Sequence, residues 1–286
     1  GIELGQRPVV IEPWLRSSAY WDGYVEVQGW FDALYQAAGD DAAQVPWADL
    51  EPHPGLASVP FRLTSEDGDE GYPGRVDATV TYSLTEADEL IVEYRATSDQ
   101  PTPLNLTHHS YFNLAGAGSA SVLDHELQVI ADLYTPADDT LIPTGAIEPV
   151  AGTPLDFRAP EVIGARIGEL DDTSALGYDH NFAVRASALK GGAEAVMAQG
   201  PVAVLRDPSS GRTLELFSDQ PGLQFYSGNF LKGATGKGGK VYAHRSACCL
   251  ETQGYPNAIN EPGFPSVLLM PGEEYRQFTV HRFFAD

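Results

Sequence analysis

The sequence predicts an all-β protein, either a sandwich or a barrel, and three observations lead to this prediction. Apolar and polar residues alternate with the two-residue period of half-buried strands in many segments from about residue 58 onward. Turn sequences separate these segments, in keeping with 29 glycines and 21 prolines in the chain. Helical periodicity is rare, and no alternation of strands with helices is visible, which argues against a parallel α/β sheet.

The first clear strands form a predicted β-hairpin. In "RVDATVTYSL" every second residue is apolar, "TEADE" supplies a polar connection, and "LIVEYRA" resumes the strand pattern. The later strand candidates, each bounded by turn residues, are "HELQVIA", "HNFAVRA", "PVAVLRD", "TLELFS", "LQFYSG", "ACCLETQ" and "YRQFTVHRF".

The N-terminal part of the chain has a different character. "WFDALYQAAGDD" carries apolar residues at helical spacing, and a short helix is predicted there. No linker is evident, so we expect residues 1–44 to form a divergent segment that packs on a main domain spanning 45–286. The tryptophans lie in or just after this segment: Trp14, Trp21, Trp30 and Trp47.

Composition excludes several classes of partner. The chain has 17 lysines and arginines against 40 aspartates and glutamates, a net charge of −23, which disfavours nucleic acid and anionic membranes. No apolar run approaches the ~20 residues of a membrane-spanning helix, and no leader sequence is evident at Gly1. The adjacent Cys248 and Cys249 argue against a disulfide framework and are expected to be small buried hydrophobes. A cytoplasmic location is the default expectation.

Two adjacent histidines raise the question of function. On an extended chain neighbouring side chains point to opposite faces. One face of "LNLTHHSYFNL" is mostly apolar and includes His108, whereas the other is a polar stripe suited to a polyhydroxylated ligand. His109 is therefore the functional candidate and His108 the packing residue, although half-exposed strands often carry such stripes without binding anything. The polar stripe consists of Asn105, Thr107, His109, Tyr111 and Asn113.

Two further stretches contain candidate site residues. Glu251 lies between a strand and a Pro/Asn/Gly-rich loop in "CLETQGYPNAINEP", where burial would raise its pKa and suit a general base. Asp179 and His180 precede an apolar run in "GYDHNF". The alternatives are an ordinary exposed glutamate and a turn carboxylate. The histidines His108, His109 and His180 lack H-x-x-x-H or C-x-x-C spacing, so no metal site is predicted.

Six stretches taken together resemble the aldose 1-epimerase (galactose mutarotase) family, in order from about Pro46 to Phe284. They are "DGDEGYPGRVDATVTYSL", "TPLNLTHHSYFNLAG", "LIPTGAIEPVAGTPLDFR", "GYDHNF", "PGLQFYSGNFL" and "LETQGYPNAINEPGFPSVLLMPGEEYR". The resemblance implies a large antiparallel β-sandwich of the supersandwich type, an open sugar-binding cleft and no cofactor. It also implies an isomerase that interconverts the anomers of a free hexose such as glucose or galactose.

The resemblance assigns roles to individual residues. It makes His109 the general acid and Glu251 the general base. Asp179 and Gln224 would bind sugar hydroxyls, and Ser110 and Tyr111 would lie beside the acid in the substrate site. The acid and the base are 142 positions apart (251 − 109), so only the fold can bring them together.

The N-terminal part departs from the family pattern. The family's asparagine–arginine pair and its second histidine motif are not found, and three explanations are open: a fragment, a frame-disrupted product or a divergent member. Two other functions are therefore kept as alternatives, a non-catalytic sugar-binding protein and a glycoside hydrolase using Asp179 with Glu251. The expected partner is a monosaccharide, with no nucleic acid or membrane, and the chain is expected to be a monomer or homodimer.

Overall fold

Two antiparallel sheets form the fold in a computed structural model of the chain, which describes residues 56–119, 121–184, 192–236 and 239–285. The larger sheet has eight strands and the smaller has six. In the eight-stranded sheet the spatial order is β1 (Leu56–Ser65), β2 (Val76–Thr85), β3 (Glu89–Ser98), β18 (Tyr275–Ala285), β12 (Arg212–Ser218), β11 (Ala203–Arg206), β6 (Glu126–Val129) and β9 (Glu161–Val162).

The six-stranded sheet carries most of the candidate site residues. Its spatial order is β5 (Tyr111–Phe112), β16 (Cys248–Gln253), β13 (Gly222–Tyr226), β10 (Asp179–Val184), β7 (Ala131–Thr135) and β8 (Glu148–Pro149). Two short ladders complete the strands: β4 (Thr102–Pro103) with β17 (Leu268–Leu269), and β14 (Ala234–Thr235) with β15 (Val241–Tyr242).

Helical structure is sparse in the described ranges. It comprises α1 (Ala193–Met197) and the short 3-10 turns Asp69–Gly71, Ile163–Ala165 and Ile167–Leu170. No helix there has the length and apolar character needed to cross a bilayer. The all-β prediction is thereby confirmed. The predicted helix in residues 1–44, the proposed packing of that segment and the boundary at residue 45 lie outside the described residues.

The predicted hairpin is formed by β2 and β3. Tyr82 pairs with Val92 and Val80 with Tyr94, so the apolar residues of the two strands lie together on one face of the sheet. Val92 and Tyr94 are buried. The two-residue alternation in the sequence therefore set both the strands and their register, because a slip by one residue would turn this apolar row towards solvent.

The main core lies between the two sheets. The six-stranded sheet contributes Phe182, Leu223, Phe225, Cys248 and Leu250, and the eight-stranded sheet contributes Leu127, Leu205, Leu214 and Leu216. Since side chains alternate along a strand, the residues between these core positions point to the opposite face of the six-stranded sheet. We call that opposite face the site face.

Both cysteines are free and fully buried. Cys248 belongs to the core between the sheets. Cys249, its neighbour on β16, points to the site face. The expectation of two small buried residues is correct, but their surroundings differ.

Candidate active site

Two rows of paired residues cross the site face. Because directly opposed residues on antiparallel strands lie on the same face, the pairings Glu251↔Gln224 and Gln224↔Asn181 place these three side chains side by side. A second row runs in the order Tyr111, Cys249, Tyr226 and Asp179. The sheet therefore gathers the strands of "HHSYF", "LETQ", "GLQFY" and "DHNF" into one surface.

Glu251 is the most deeply placed carboxyl group on this face. Its side chain is only 2% exposed. Burial raises the pKa of Glu251 well above the usual glutamate value, and the negative charge of Asp179 adds to the effect. Since a general base works best when its pKa approaches the working pH, this environment suits proton abstraction.

His109 contacts this carboxylate. Its Nε2 lies 3.4 Å from Oε1 of Glu251, and the imidazole is 28% exposed, so solvent reaches it. The ring stacks on that of Tyr111, with centroids 5.3 Å apart and planes 28° from parallel. The imidazole and the carboxylate, which are far apart in sequence, thus meet in direct contact.

The segment that carries His109 is held by side chains rather than by a strand ladder. Asn105 donates from Nδ2 to the carbonyl of Gly254, and its Oδ1 accepts from the N–H of Gly254, at 3.0 and 2.7 Å. Thr107 Oγ1 donates to the carbonyl of Thr252 at 3.1 Å. Gly254 permits this approach, since a Cβ there would lie 3.1 Å from Asn105 Oδ1 and also 2.7 Å from Val267 Cγ1.

The polar stripe predicted along this segment therefore has two uses. Asn105 and Thr107 bind backbone groups of β16 and its continuation, and Asn113 donates to the carbonyl of Ser246 at 2.8 Å. Those three side chains anchor the segment instead of facing a ligand as the stripe had suggested. The reason is that residues 105–110 are not in a regular strand, so side chains supply the hydrogen bonds that a ladder would give. His109 and Tyr111 remain on the site face.

His108 points the other way, towards the eight-stranded sheet. Its ring packs 5.0 Å from that of His281 and 5.6 Å from that of Tyr82. Burial lowers the pKa of His108 to about 4, and the charge of His109 acts in the same direction. The Oγ of Ser110 lies 2.9 Å from Nε2 of His108. The structure thus groups Ser110 with the packing histidine and not with the other predicted site residues.

Asp179 and Gln224 are joined on the site face. Gln224 donates from Nε2 to Oδ1 of Asp179 at 2.7 Å. Burial raises the pKa of Asp179 to about 6, with the Gln224 hydrogen bond and His109 opposing the rise. Oε1 of Gln224 is buried and has no hydrogen-bond partner among the described residues, so it is available to accept from a ligand hydroxyl. His180 turns to the other face and approaches Tyr134.

Sequence reasoning missed four residues of this surface, one of which is Tyr226 in the second row. Asn181 and Thr135 continue the Glu251–Gln224 row, with Asn181 Nδ2 donating to Thr135 Oγ1 at 3.1 Å. The signal for Asn181 was its position two residues after Asp179, on the same face of one strand. Cys249 lies two residues before Glu251 on β16, so its side chain is on the same face. The apolar sequence around it had suggested only a packing role.

The fold and the sequence of the chain place it in a known class. The chain belongs to the aldose 1-epimerase family, whose model matches residues 38–282. It is 50% identical over 226 residues to galactose mutarotase from Homo sapiens, covering 79% of this chain and 62% of that protein. It is 40% identical over 231 residues to aldose 1-epimerase from Escherichia coli K12, covering 80% of this chain and 64% of that protein.

Solved structures agree with the fold. A GalM/aldose epimerase homologue from C. elegans superposes with a TM-score of 0.70 at 31% identity, covering 82% of this chain and 67% of that one. Galactose 1-epimerase from Lactobacillus acidophilus gives 0.68 at 28% identity, covering 82% and 65%. The expected supersandwich is confirmed. The chain spans about 62% of the length of the mammalian mutarotases it matches.

Proposed function

We propose that the protein is an aldose 1-epimerase, which interconverts the α and β anomers of a free hexose such as glucose or galactose. The observation that carries the proposal is the 3.4 Å contact between His109 Nε2 and Glu251 Oε1. A buried carboxylate with a raised pKa and a partly exposed imidazole are the two groups that ring opening requires.

The reaction uses these groups as base and acid. The carboxylate of Glu251 takes the proton of the anomeric hydroxyl while protonated His109 donates a proton to the ring oxygen. The bond between C1 and the ring oxygen breaks, and C1 becomes an aldehyde. Rotation about the C1–C2 bond presents the other face of the aldehyde, and reversal of both proton transfers closes the ring as the other anomer.

The closeness of the two groups suits this chemistry. The anomeric oxygen and the ring oxygen are bonded to the same carbon, so an acid and a base that serve both must also be neighbours. A sugar placed over the pair receives one hydrogen bond from the imidazole and gives one to the carboxylate. Its C1 then lies beside both groups.

Orientation of the sugar falls to the rest of the site face. We assign Gln224 and Asp179 to hydroxyl binding, since the unpartnered Oε1 of Gln224 accepts from a hydroxyl while its amide fixes the Asp179 carboxylate. The ring of Tyr111 gives an apolar wall beside His109. Ser110 is kept as a substrate-site proposal only through the family resemblance, as its hydroxyl lies beside His108.

The wider assignment follows from this proposal. The partner is a monosaccharide, no cofactor takes part in either proton transfer, and the acidic chain avoids nucleic acid and anionic membranes. A cytoplasmic monomer or homodimer accords with two buried free cysteines.

Polarimetry on freshly dissolved α-D-glucose and α-D-galactose tests the proposal. We expect the approach to anomeric equilibrium to be faster than in buffer, and His109→Asn to abolish the difference. Binding of sugar without acceleration would instead support a non-catalytic sugar-binding protein. Release of a chromophore from an aryl glycoside would support the hydrolase alternative with Asp179 and Glu251.

A further inference from the structure

Three side chains of different chemistry converge at the centre of the site face. The Nε2 or Nδ1 of His109, the Sγ of Cys249 and a carboxylate oxygen of Glu251 all lie within 4.8 Å of one another. Cys249 and Glu251 are two residues apart on β16 and point the same way, and both are buried. Proton transfer as proposed above uses the histidine and the glutamate but gives the thiol no part.

The donor set matches that of a zinc-type cation. Thiolate, imidazole and carboxylate are the three protein ligands of Zn²⁺, and thiolate favours zinc over magnesium or calcium. With bonds of about 2.1 Å to nitrogen and oxygen, two ligands of a tetrahedral ion stand about 3.4 Å apart. The Nε2–Oε1 distance between His109 and Glu251 is 3.4 Å. The imidazole and the carboxylate are therefore already spaced for a shared ion, and the thiol lies within 4.8 Å of both.

Charge also favours a cation here. Two carboxyl groups, Glu251 and Asp179, face this part of the sheet, and the chain carries a net charge of −23. Asp179 is tied to the amide of Gln224 and adds negative potential without competing as a ligand. The His109 side chain is 28% exposed, and from that side an ion would enter and a water molecule would complete the tetrahedron as fourth ligand.

We propose that His109, Cys249 and Glu251 form a binding site for a thiophilic divalent cation such as Zn²⁺, and that this ion and the sugar exclude each other. An ion held by the histidine and the glutamate occupies the lone pairs that proton transfer needs. Ion binding by itself is independent of the proposed function. The inhibitory consequence rests on that function, so the two are measured separately.

Cobalt(II) is the probe for binding, because a cobalt–thiolate bond gives an intense charge-transfer absorption band. We expect the band in the parent protein, its loss in Cys249→Ala and Cys249→Val, and its displacement by Zn²⁺. Cys248→Ala is the matched control, since that thiol is buried one position away but points to the core, and it should keep the band. Absence of the band in the folded parent, or its persistence in both Cys249 variants, overturns the proposal.

Two variants guard against loss of folding, because valine refills the volume that alanine leaves. Circular dichroism identifies any unfolded variant, and if both fail, the band in Cys248→Ala decides, because Cys249 is then the remaining thiol. In mutarotation, Zn²⁺ should inhibit the parent and chelation should restore it. The concentration for half inhibition should rise about tenfold or more in Cys249→Val. Equal inhibition of both proteins contradicts the proposal, whereas a cobalt band without any mutarotation contradicts only the proposed function.

Discussion

Gln224 and Glu251 stand directly opposite each other on the neighbouring antiparallel strands β13 and β16. Their side chains share the site face, at the spacing that a strand ladder imposes. Gln224 in turn donates a 2.7 Å hydrogen bond to Asp179, which fixes the carboxylate on the same face. The proposed base and the proposed sugar-binding groups are thus set by one run of backbone pairing.

Removing either proton-transfer group should reduce turnover far more than binding. We expect His109→Asn and Glu251→Gln each to lower kcat by about 10²–10⁴-fold, the usual contribution of positioned acid–base groups. Polarimetric kcat and KM values provide the measurement. The same chemical change at the exposed His244, His244→Asn, is the matched control and should leave both values as in the parent. A His109 variant with parental kcat would remove this histidine from the mechanism.

Loss of a side chain that binds sugar hydroxyls should weaken substrate binding more than it slows the bound step. Gln224→Ala removes the accepting Oε1 and frees the Asp179 carboxylate, so we expect KM to rise more than kcat falls. Asp179→Asn preserves an acceptor for the glutamine amide and should act more mildly. Steady-state kinetics at several sugar concentrations separates the two parameters. Variants equal to the parent in both would end the assignment of these residues to sugar binding.

The buried, ionised carboxyl of Glu251 should lower the stability of the fold. A carboxyl whose pKa is raised on folding, as that of Glu251 is, binds its proton more tightly in the folded chain, so stability falls as pH rises above the ordinary value of about 4.3. Glu251→Gln removes that loss. We expect a higher melting temperature at pH 8, by about 2–4 °C per kcal/mol gained, and a smaller advantage near pH 4.

A control of opposite sign is available at Asp207. Hydrogen bonds from Ser210 and Ser209 lower the pKa of Asp207 to about 2, so its charge stabilises the fold above the ordinary pKa and this contribution is lost in acid. Asp207→Asn should therefore melt lower than the parent at pH 8. If Glu251→Gln also melts lower at pH 8, burial of the charge is not what limits stability at the site.

The stability of the fold should depend on acid pH through His281, which packs against His108. His281 is fully buried, and burial, with a smaller effect of His108, lowers its pKa to about 3. Between about pH 6.5 and 3 the unfolded chain binds a proton that the folded chain refuses, so stability falls as pH falls, by up to about 1.4 kcal/mol per unit.

His281→Leu should flatten this dependence. Urea unfolding midpoints measured from pH 7 to pH 4 give the slope, and His244→Leu at an exposed position should change it less. An unchanged slope in His281→Leu would show that other groups control acid unfolding.

The strands were predictable from sequence because each has its own alternation of apolar and polar residues. The alternation from Val76 to Leu84 predicts a strand with one apolar face, and the structure pairs those residues in register with β3, where most of that face is half-buried and Leu84 is exposed. The opposite directions of His108 and His109 followed from the same geometry, even though the segment is not a regular strand. Local chemistry was sufficient for these features.

The arrangement of the site was not predictable in this way. The contact between His109 and Glu251 joins residues 142 positions apart, and no spacing in the sequence encodes it, so only the family resemblance suggested the pairing. The anchoring use of Asn105 and Thr107 depends on where β16 ends. The nearness of Cys249 depends on how closely His109 approaches that strand.

The two halves of the proposed machinery differ in how easily sequence change reaches them. Glu251 sits in β16, which pairs through its backbone with β13 from Cys249 to Gln253, and almost any side chain preserves that pairing. His109 is placed through the side chains of Asn105 and Thr107, and one replacement at either removes a support. A single substitution in residues 105–110 can therefore move the proposed acid, while the sheet and the proposed base stay in place. Activity would diverge among descendants of this chain through changes in that segment first.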